Sequence, residues 1–128
     1  MAGAPKDRFE QGWETVGKIN AEGAQRQWDS LSAISPDFAR WIVESAYCDV
    51  LSRPALSLRD REIATLASLA TLGNAPTQLK AHIEGALNVG VTRDEIVEVL
   101  MQMAIYAGVP AAINAMQLAG EVFRERGI

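Results

Sequence analysis

The hydrophobic positions along this chain recur at intervals of three and four residues. In residues 7–20, for example, Phe9, Trp13, Val16 and Ile19 fall on one face of a helix. Sustained alternation of polar and apolar residues with β-branched enrichment, which is typical of half-buried strands, does not occur. The sequence therefore predicts an all-α protein.

Helix boundaries in the first half of the chain are marked by prolines and a capping residue. Residues 7–20 and 21–32 form two predicted amphipathic segments with a weak boundary between them. Ser35 followed by Pro36 predicts an N-cap and the first position of the next helix. Pro54 predicts the end of that helix, because proline disfavours helical backbone at the residue before it.

The third predicted helix follows a partial capping signal and is rich in Ala and Leu. Ser57 with Asp60 resembles a capping box in which Asp takes the usual place of Glu. Polar atoms are scarce on every side of the segment that follows, so we expect a central helix that ends at Gly73. Pro76 then predicts the first turn of a helix that carries the only histidine, His82.

Two further helices complete the predicted fold. Gly90 predicts a left-handed cap at the end of the His82 helix. Thr92 with Glu95 forms a full capping box for the next helix. Pro110 opens the last helix, which we expect to end near Arg126.

Composition limits the class of protein. The 128 residues are 48% hydrophobic, enough for a single domain over 1–128 that buries roughly two-thirds of its chain surface. The net charge is -4 and the basic residues are scattered, so we expect neither nucleic acid nor a membrane surface as a partner. No apolar run approaches the ~18 residues of a membrane span, and no signal peptide is visible, so we expect a cytoplasmic protein.

The single histidine favours proton chemistry over metal chemistry. A lone imidazole can move a proton near neutral pH but cannot build a metal site, so no metal is expected. His82 lies at the border of a predicted buried stripe formed by Leu79, Ile83, Ala86 and Leu87. A structural histidine that hydrogen-bonds to a backbone carbonyl is the alternative.

A buried-helix candidate, Glu62, is the second polar residue of interest. Glu62 precedes a long uncharged run and is expected at a helix entrance, where a structural cap or an ion pair with Arg59 or Arg61 is the simplest role.

A polar stripe on the helix that begins after Thr92 has two interpretations. Glu95, Glu98, Gln102 and Tyr106 follow one another at helical spacing. The stripe is either a solvated face or the wall of a polar cavity beside the flexible corner at Gly108.

Several common site signatures are absent from the sequence. It has no paired cysteines, no glycine-rich phosphate loop and no GxSxG nucleophile elbow. Its single cysteine, Cys48, excludes an internal disulfide and is more typical of a small core residue than of a reactive thiol.

Three segments closely resemble the carboxymuconolactone decarboxylase family. They are LRDREI at residues 58–63, KAHIEGALNVGVTRDEI at residues 80–96 and QMAIYAGVPAA at residues 102–112, and SRPAL at residues 52–56 also fits. The resemblance implies an all-helical bundle with the alkylhydroperoxidase-like fold. It also implies a homo-oligomer, a trimer or hexamer, with sites near the subunit contacts and no cofactor.

The resemblance separates this chain from the redox branch of the superfamily. That branch carries a C-x-x-C-x-x-x-H motif, and Ala75 and Gln78 stand where its cysteines would be relative to His82. Without these thiols, peroxide reduction through a disulfide has no chemistry available, so a thiol peroxidase is disfavoured.

The reaction that names the family converts 4-carboxymuconolactone to the enol-lactone of 3-oxoadipate and CO₂ in aromatic-acid degradation. By resemblance, His82 donates the proton or stabilises the dienolate, and Glu62 orients it or relays the proton. Arg53 or Arg61 would hold a substrate carboxylate, and Tyr106 would supply a polar wall.

Some positions depart from the pattern of the pathway enzyme and leave other functions open. Cys48 stands where glycine is usual, Leu51 stands where tryptophan is usual, and Glu84 places negative charge near a dianionic substrate. One alternative is a related proton-transfer enzyme that acts on another lactone or acid. The other is a non-catalytic oligomeric protein that binds a small ligand on the same scaffold.

Overall fold

The computed structural model describes residues 6–128, and these residues form helices without a strand. The helices are α1 (Arg8–Ser32), α2 (Pro36–Ile42), α3 (Leu58–Leu72), α4 (Pro76–Asn88), α5 (Arg93–Tyr106) and α6 (Val109–Arg126), with a π-helix (Val43–Cys48) directly after α2. The all-α prediction is confirmed. The chain divides into two compact units between Leu56 and Ser57, and a single domain over 1–128 stays a prediction.

Helix α1 reverses direction at Asn20, inside the first unit. Asn20 has extended backbone angles (φ -157°, ψ 83°), and its Oδ1 accepts a hydrogen bond from the Gly23 amide at 3.0 Å. In a straight helix Phe9 and Trp28 would lie roughly 28 Å apart. Their ring centroids are 5.2 Å apart. The two segments predicted on either side of this boundary therefore pack side by side as a helical hairpin.

Helix α2 begins as predicted but ends early. The Ser35 hydroxyl accepts a hydrogen bond from the Phe38 amide at 3.2 Å, and Pro36 occupies the first turn. The prediction that this helix continues to Pro54 is wrong. Wider turns replace it from Val43 onward, as in the hydrogen bond from the Asp49 amide to the Glu44 carbonyl, and the helical backbone stops at Cys48.

Close backbone packing joins α1 to the start of the π-helix. A Cβ atom on Gly12 would lie 2.2 Å from the carbonyl oxygen of Val43. No side chain fits in that space, so this contact requires glycine.

The second unit packs α3 to α6 around one apolar core. Helix α3 contacts the other three helices through one face, which includes Leu66 and Ala70. Its opposite side is open, and Leu72 is 62% exposed. Within the second unit α3 is central, as expected, because it contacts the three other helices, but only one of its faces is buried. The fully buried apolar side chains of this core are Leu66, Ile83, Ile96, Leu100 and Val122.

The predicted helix ends of the second unit are confirmed. The Thr92 hydroxyl accepts from the Glu95 amide at 3.1 Å, and the Glu95 carboxylate accepts from the Thr92 amide at 3.0 Å, which completes the capping box. Gly73 and Gly90 both have positive φ, as left-handed caps require. Side-chain chemistry close to each helix end was sufficient to predict it.

Candidate active site

His82 and Glu62 form a hydrogen-bonded pair between α4 and α3. The Nδ1 atom of His82 lies 2.8 Å from the Oε2 atom of Glu62. The side chain of Glu62 is 1% exposed and that of His82 is 20% exposed, so the histidine lies at the border of the core, as its spacing predicts. The pair is the clearest polar constellation inside the second unit.

The second oxygen of this carboxylate has no partner. Oε1 of Glu62 is buried and makes no hydrogen bond within residues 6–128. An unpaired buried polar atom costs roughly 1–3 kcal/mol of stability. Costs of this kind are typical of positions that a protein keeps for function rather than for folding.

The hydrogen bond determines which nitrogen of the ring faces the carboxylate and which remains available. When Glu62 is ionised its oxygens only accept hydrogen bonds, and Nδ1–H of His82 is then the donor. Nε2 is left as the atom that can give or take a proton. A carboxylate that orients an imidazole in this way is a common arrangement in proton-transfer sites.

Neighbouring core residues hold both side chains in place. Glu62 lies one turn before Leu66 on α3, and the Ser57 hydroxyl caps that helix by accepting from the Asp60 amide at 3.1 Å. On α4, His82 is next to Ile83 and one turn after Leu79, and both are buried. Packing of these two helices fixes the pair without help from a loop.

The arginines expected beside Glu62 do not pair with it. The guanidinium of Arg59 instead pairs with Glu95, and together with the capping hydrogen bonds of Thr92 it lowers the pKa of Glu95 to about 2. The same contact raises the pKa of Arg59. An ion pair with Arg59 or Arg61 is one of the structural alternatives for Glu62, whose carboxylate instead bonds to His82. Nothing in the sequence spacing pointed to the contact between Arg59 and Glu95.

Three further residues are expected at this site, Arg53, Arg61 and Tyr106. Arg61 is the half-buried neighbour of Glu62 on α3, and Arg53 is exposed in the first unit. Tyr106 is the last residue of α5 and is 77% exposed. Of the expected site residues, the structure places His82 and Glu62 in direct contact.

The polar stripe of α5 faces solvent. Glu98, Gln102 and Tyr106 are exposed, and Glu95 is engaged with Arg59. In a single chain these side chains are therefore accessible to solvent, as the solvated-face interpretation expects.

Cys48 has the environment of a core residue. It is buried, and its Sγ lies 3.6 Å from Oε1 of Gln11. Burial, together with the charge of Asp49, raises the pKa of the thiol. A thiol with a raised pKa forms less of the reactive thiolate at neutral pH.

Two negative findings concern the part of the chain that the structure describes. None of its helices is both long enough and apolar enough to cross a bilayer. Among the same residues, no group of three or more His, Cys, Asp or Glu side chains is placed to hold a metal ion.

Comparison with known proteins decides the family. The model of the carboxymuconolactone decarboxylase family matches residues 36–121. The chain belongs to this family. The matched region starts at the first residue of α2 and includes both His82 and Glu62.

Individual relatives point to the class of reaction. The chain is 36% identical over 124 residues to 4-carboxymuconolactone decarboxylase of Acinetobacter baylyi, which covers 96% of this chain and 92% of that protein. It is 40% identical over 76 residues to nitrosuccinic acid decarboxylase of Metarhizium robertsii, covering 59% of this chain and 52% of that protein. It is also 27% identical over 97 residues to an uncharacterised protein of Paracoccus denitrificans, covering 75% and 72% of the two chains. The two relatives of named activity support a decarboxylase.

Proposed function

We propose that this protein is a cofactor-independent decarboxylase that converts 4-carboxymuconolactone to the enol-lactone of 3-oxoadipate and CO₂. The observation that carries the proposal is the 36% identity to a 4-carboxymuconolactone decarboxylase over 96% of the chain. The hydrogen-bonded His82–Glu62 pair supplies side chains suited to the single proton transfer that this reaction needs.

The proposed substrate carries its own electron acceptor. When the bond between the ring carbon and the carboxylate breaks, CO₂ leaves and the electron pair moves through the ring double bond to the lactone carbonyl oxygen. The product of this step is a dienolate, so no external electron sink is required. The protein must stabilise the developing negative oxygen and deliver one proton to carbon.

His82 is the proposed proton donor. In its protonated form it keeps Nδ1–H on the carboxylate of Glu62 and presents Nε2–H to the substrate. Transfer of the Nε2 proton to carbon completes the enol-lactone and leaves a neutral ring, which takes up one proton from solvent before the next turnover. Glu62 acts as a positioning residue, because it touches the ring of His82 and holds its orientation.

Charged side chains outside this pair are proposed to hold the substrate. A guanidinium binds a carboxylate through two parallel hydrogen bonds, so Arg53 or Arg61 is proposed for a substrate carboxylate and Tyr106 for a polar wall. Glu84 lies two positions after His82 on α4. Residues spaced in this way do not face each other on a helix, which directs the charge of Glu84 away from the proton donor.

A second candidate substrate class follows from the fungal relative. Nitrosuccinic acid resembles 4-carboxymuconolactone in having two carboxyl groups and an acceptor that can take the electron pair, here a nitro group instead of a lactone carbonyl. The 40% identity to nitrosuccinic acid decarboxylase favours this chemistry over ligand binding alone. The same proton donor would serve a nitronate as well as a dienolate.

Ultraviolet-monitored turnover of freshly generated 4-carboxymuconolactone tests the proposal, with wild type and His82→Gln compared at equal concentration. A glutamine at this position can still donate to Glu62 but cannot exchange a proton. Loss of general acid catalysis lowers kcat by about 10²–10⁴-fold. CO₂ release from nitrosuccinic acid is measured in parallel.

The outcomes separate the alternatives. Equal turnover by both proteins would show that His82 is not the donor. Turnover of nitrosuccinic acid alone would move the protein to the second substrate class. Binding of either acid by the folded wild type without any turnover would support a non-catalytic ligand-binding protein.

Assembly and location belong to the same proposal. By its resemblance to the family, the protein is proposed to be a homo-oligomer, a trimer or hexamer, and to act in the cytoplasm. Light scattering of the purified protein tests the first of these, since each chain contributes 13.9 kDa.

A further inference from the structure

The proposed reaction needs two hydrogen-bond donors, and His82 supplies only one of them to the substrate. In the protonated ring, Nδ1–H is engaged with Oε2 of Glu62 at 2.8 Å, and Nε2–H carries the proton that moves to carbon. Negative charge meanwhile develops on the carbonyl oxygen of the lactone, or on a nitro oxygen in nitrosuccinic acid. A fixed donor aimed at such an oxygen is usually the largest single contribution to catalysis. A second side chain is therefore required at this oxygen.

The chemistry of both candidate substrates determines how near the second donor must lie. In the dienolate, the carbon that takes the proton is bonded to the carbonyl carbon, so it is two bonds away from the charged oxygen. In the nitronate, the same carbon is bonded to nitrogen, and the charged oxygen is again two bonds away. The second donor must therefore be a close neighbour of the proton donor. Side chains one turn apart on a helix, with Cβ atoms roughly 5–6 Å apart, meet this requirement.

Gln78 occupies such a position on α4. It lies four residues before His82, so the two side chains share one side of the helix. Helical side chains lean toward the N-terminal end, which carries the ring of His82 back over the turn that contains Gln78. Gln78 is exposed and the side chain of His82 is 20% exposed, so a small molecule can reach both. The NH₂ group of a glutamine amide can donate two hydrogen bonds and is uncharged.

Two other donors close to the pair in sequence are already engaged. Thr65 of α3 lies in the turn after the carboxylate partner of His82, but its hydroxyl donates to the Arg61 carbonyl at 2.9 Å. Lys80 of α4 donates to Glu125 at 2.9 Å. The substrate also has two carboxylates, for which arginines are proposed above. These contacts leave the amide of the preceding turn of α4 as the donor for the oxygen.

We propose that Gln78 donates a hydrogen bond to the oxygen that becomes negative when CO₂ leaves. His82 then gives the proton to carbon while Gln78 stabilises the charge on oxygen. The inference rests on the proposed decarboxylase and adds a catalytic residue to it. It also narrows the substrate class to acids whose electron acceptor is a carbonyl or nitro group next to the carbon that is protonated.

Two alanine variants in one turn of α4 test the assignment. Gln78→Ala removes the donor. Thr77→Ala removes its exposed polar neighbour, which lies five positions before His82 and therefore on another side of the helix. Steady-state turnover of freshly generated 4-carboxymuconolactone and of nitrosuccinic acid is measured for both variants and wild type. Loss of one such donor costs about 10²–10³-fold in kcat when it is enclosed, so at this exposed position we expect a fall of at least about tenfold with little change in KM. Thr77→Ala is expected to keep the kcat of wild type.

A third variant and a pH profile separate a lost donor from a displaced ring. Gln78→Glu keeps the size of the side chain but replaces the donor with a negative acceptor. We expect it to lower kcat and also to raise KM, because it repels the carboxylates of the substrate. The pH dependence of kcat follows the protonation of His82, so it should stay the same in Gln78→Ala. A shifted profile would show that the substitution acts through the histidine and would overturn the proposal.

The remaining outcomes each decide a separate point. A wild type that turns over neither acid overturns the proposed function and this role with it. An active wild type whose kcat survives in Gln78→Ala overturns the role of Gln78 alone. A raised KM with unchanged kcat in that variant would make Gln78 a ground-state contact to a carboxylate, and an equal loss in Thr77→Ala would make the effect structural; either result overturns the proposal. If circular dichroism shows that Gln78→Ala is unfolded, Gln78→Met replaces it, because methionine keeps the length without the donor.

Discussion

The Oε2 atom of Glu62 is 2.8 Å from Nδ1 of His82, although the two residues lie twenty positions apart and on different helices. The carboxylate that makes this contact is almost completely enclosed, and its other oxygen has no partner within residues 6–128. Burying an apolar side chain at this position would cost the fold less free energy than burying this carboxylate does. The arrangement therefore favours chemistry over stability.

Replacing Glu62 is expected to separate activity from stability. Glu62→Leu removes the unpaired oxygen, and exchange of a buried ionisable group for a packed apolar one is often neutral or stabilising. We expect the free energy of unfolding to stay the same or rise by about 1 kcal/mol while kcat falls at least about tenfold. Urea unfolding followed by circular dichroism and steady-state kinetics measure the two quantities.

Glu62→Gln provides the matched control. It keeps the volume and an oxygen that can accept from His82, but it carries no charge. Because the role proposed for Glu62 is to position the ring rather than to bind substrate, kcat is expected to fall in this variant while KM changes little. A leucine variant with wild-type kcat would contradict the proposed role of Glu62.

Two glycines of α1 are expected to respond to alanine in opposite ways. Gly12→Ala places a methyl group within 2.2 Å of the Val43 carbonyl oxygen, so we expect a loss of roughly 1–3 kcal/mol or more. Gly17 has nothing within 4 Å of the same position. Gly17→Ala is therefore expected to stabilise the protein by about 0.5–1 kcal/mol. Thermal melting of both variants checks the contrast, and equal melting temperatures would refute the close approach of the two segments.

The Arg59–Glu95 pair predicts a pH dependence of stability. The pKa of Glu95 is about 2 in the folded protein against an ordinary value of 4.5, so its stabilising effect is present above pH 4.5 and is lost as pH falls toward 2. Glu95→Gln keeps a capping oxygen but loses the charge. We expect its Tm to lie below that of wild type at pH 7 and the difference to shrink by pH 3.

Added salt and a second variant test whether the Tm difference between Glu95→Gln and wild type arises from the ion pair. Both partners of the pair are partly exposed, so added salt at pH 7 should also reduce the difference in Tm. Glu98→Gln, on the exposed side of the same helix, is expected to show no comparable change with pH. A difference between Glu95→Gln and wild type that persists unchanged at pH 3 would argue against the ion pair.

Asn20 is expected to control the hairpin of α1. Asn20→Ala removes the oxygen that caps the Gly23 amide and introduces a residue that favours continuous helix, at a cost of about 1 kcal/mol. Loosening the reversal would expose Trp28, which we expect to shift tryptophan emission to longer wavelength. Gln25→Ala, on the exposed side of the second segment, is the control and should leave the spectrum unchanged.

Local chemistry predicted most of the helices. Ser35, Thr92, Gly73 and Gly90 act within a few residues of their own helix ends, and the structure confirms each of them. The full reversal at Asn20 could not be predicted in the same way, because it depends on aromatic rings that are distant in sequence. The early end of α2 escaped prediction because wide turns replace its regular hydrogen bonds before the proline is reached.

The candidate site was also predictable only as far as local spacing along one helix determines it. Helical spacing placed His82 at the border of the core, which the structure confirms. The partner of its ring depended on how α3 packs against α4, and spacing alone favoured an arginine as the partner of Glu62. Arg59 instead pairs with Glu95, because the first turn of α3 contacts the first turn of α5.

The reversal of α1 also bears on how the protein is made. Phe9, Trp13 and Trp28 contact one another across a short stretch of sequence, so the entropy lost in closing that loop is small. A chain that leaves the ribosome N-terminus first can bring these rings together once residue 32 has emerged. Its aromatic surface is then shielded from other nascent chains while residues 57–128 are still being synthesised.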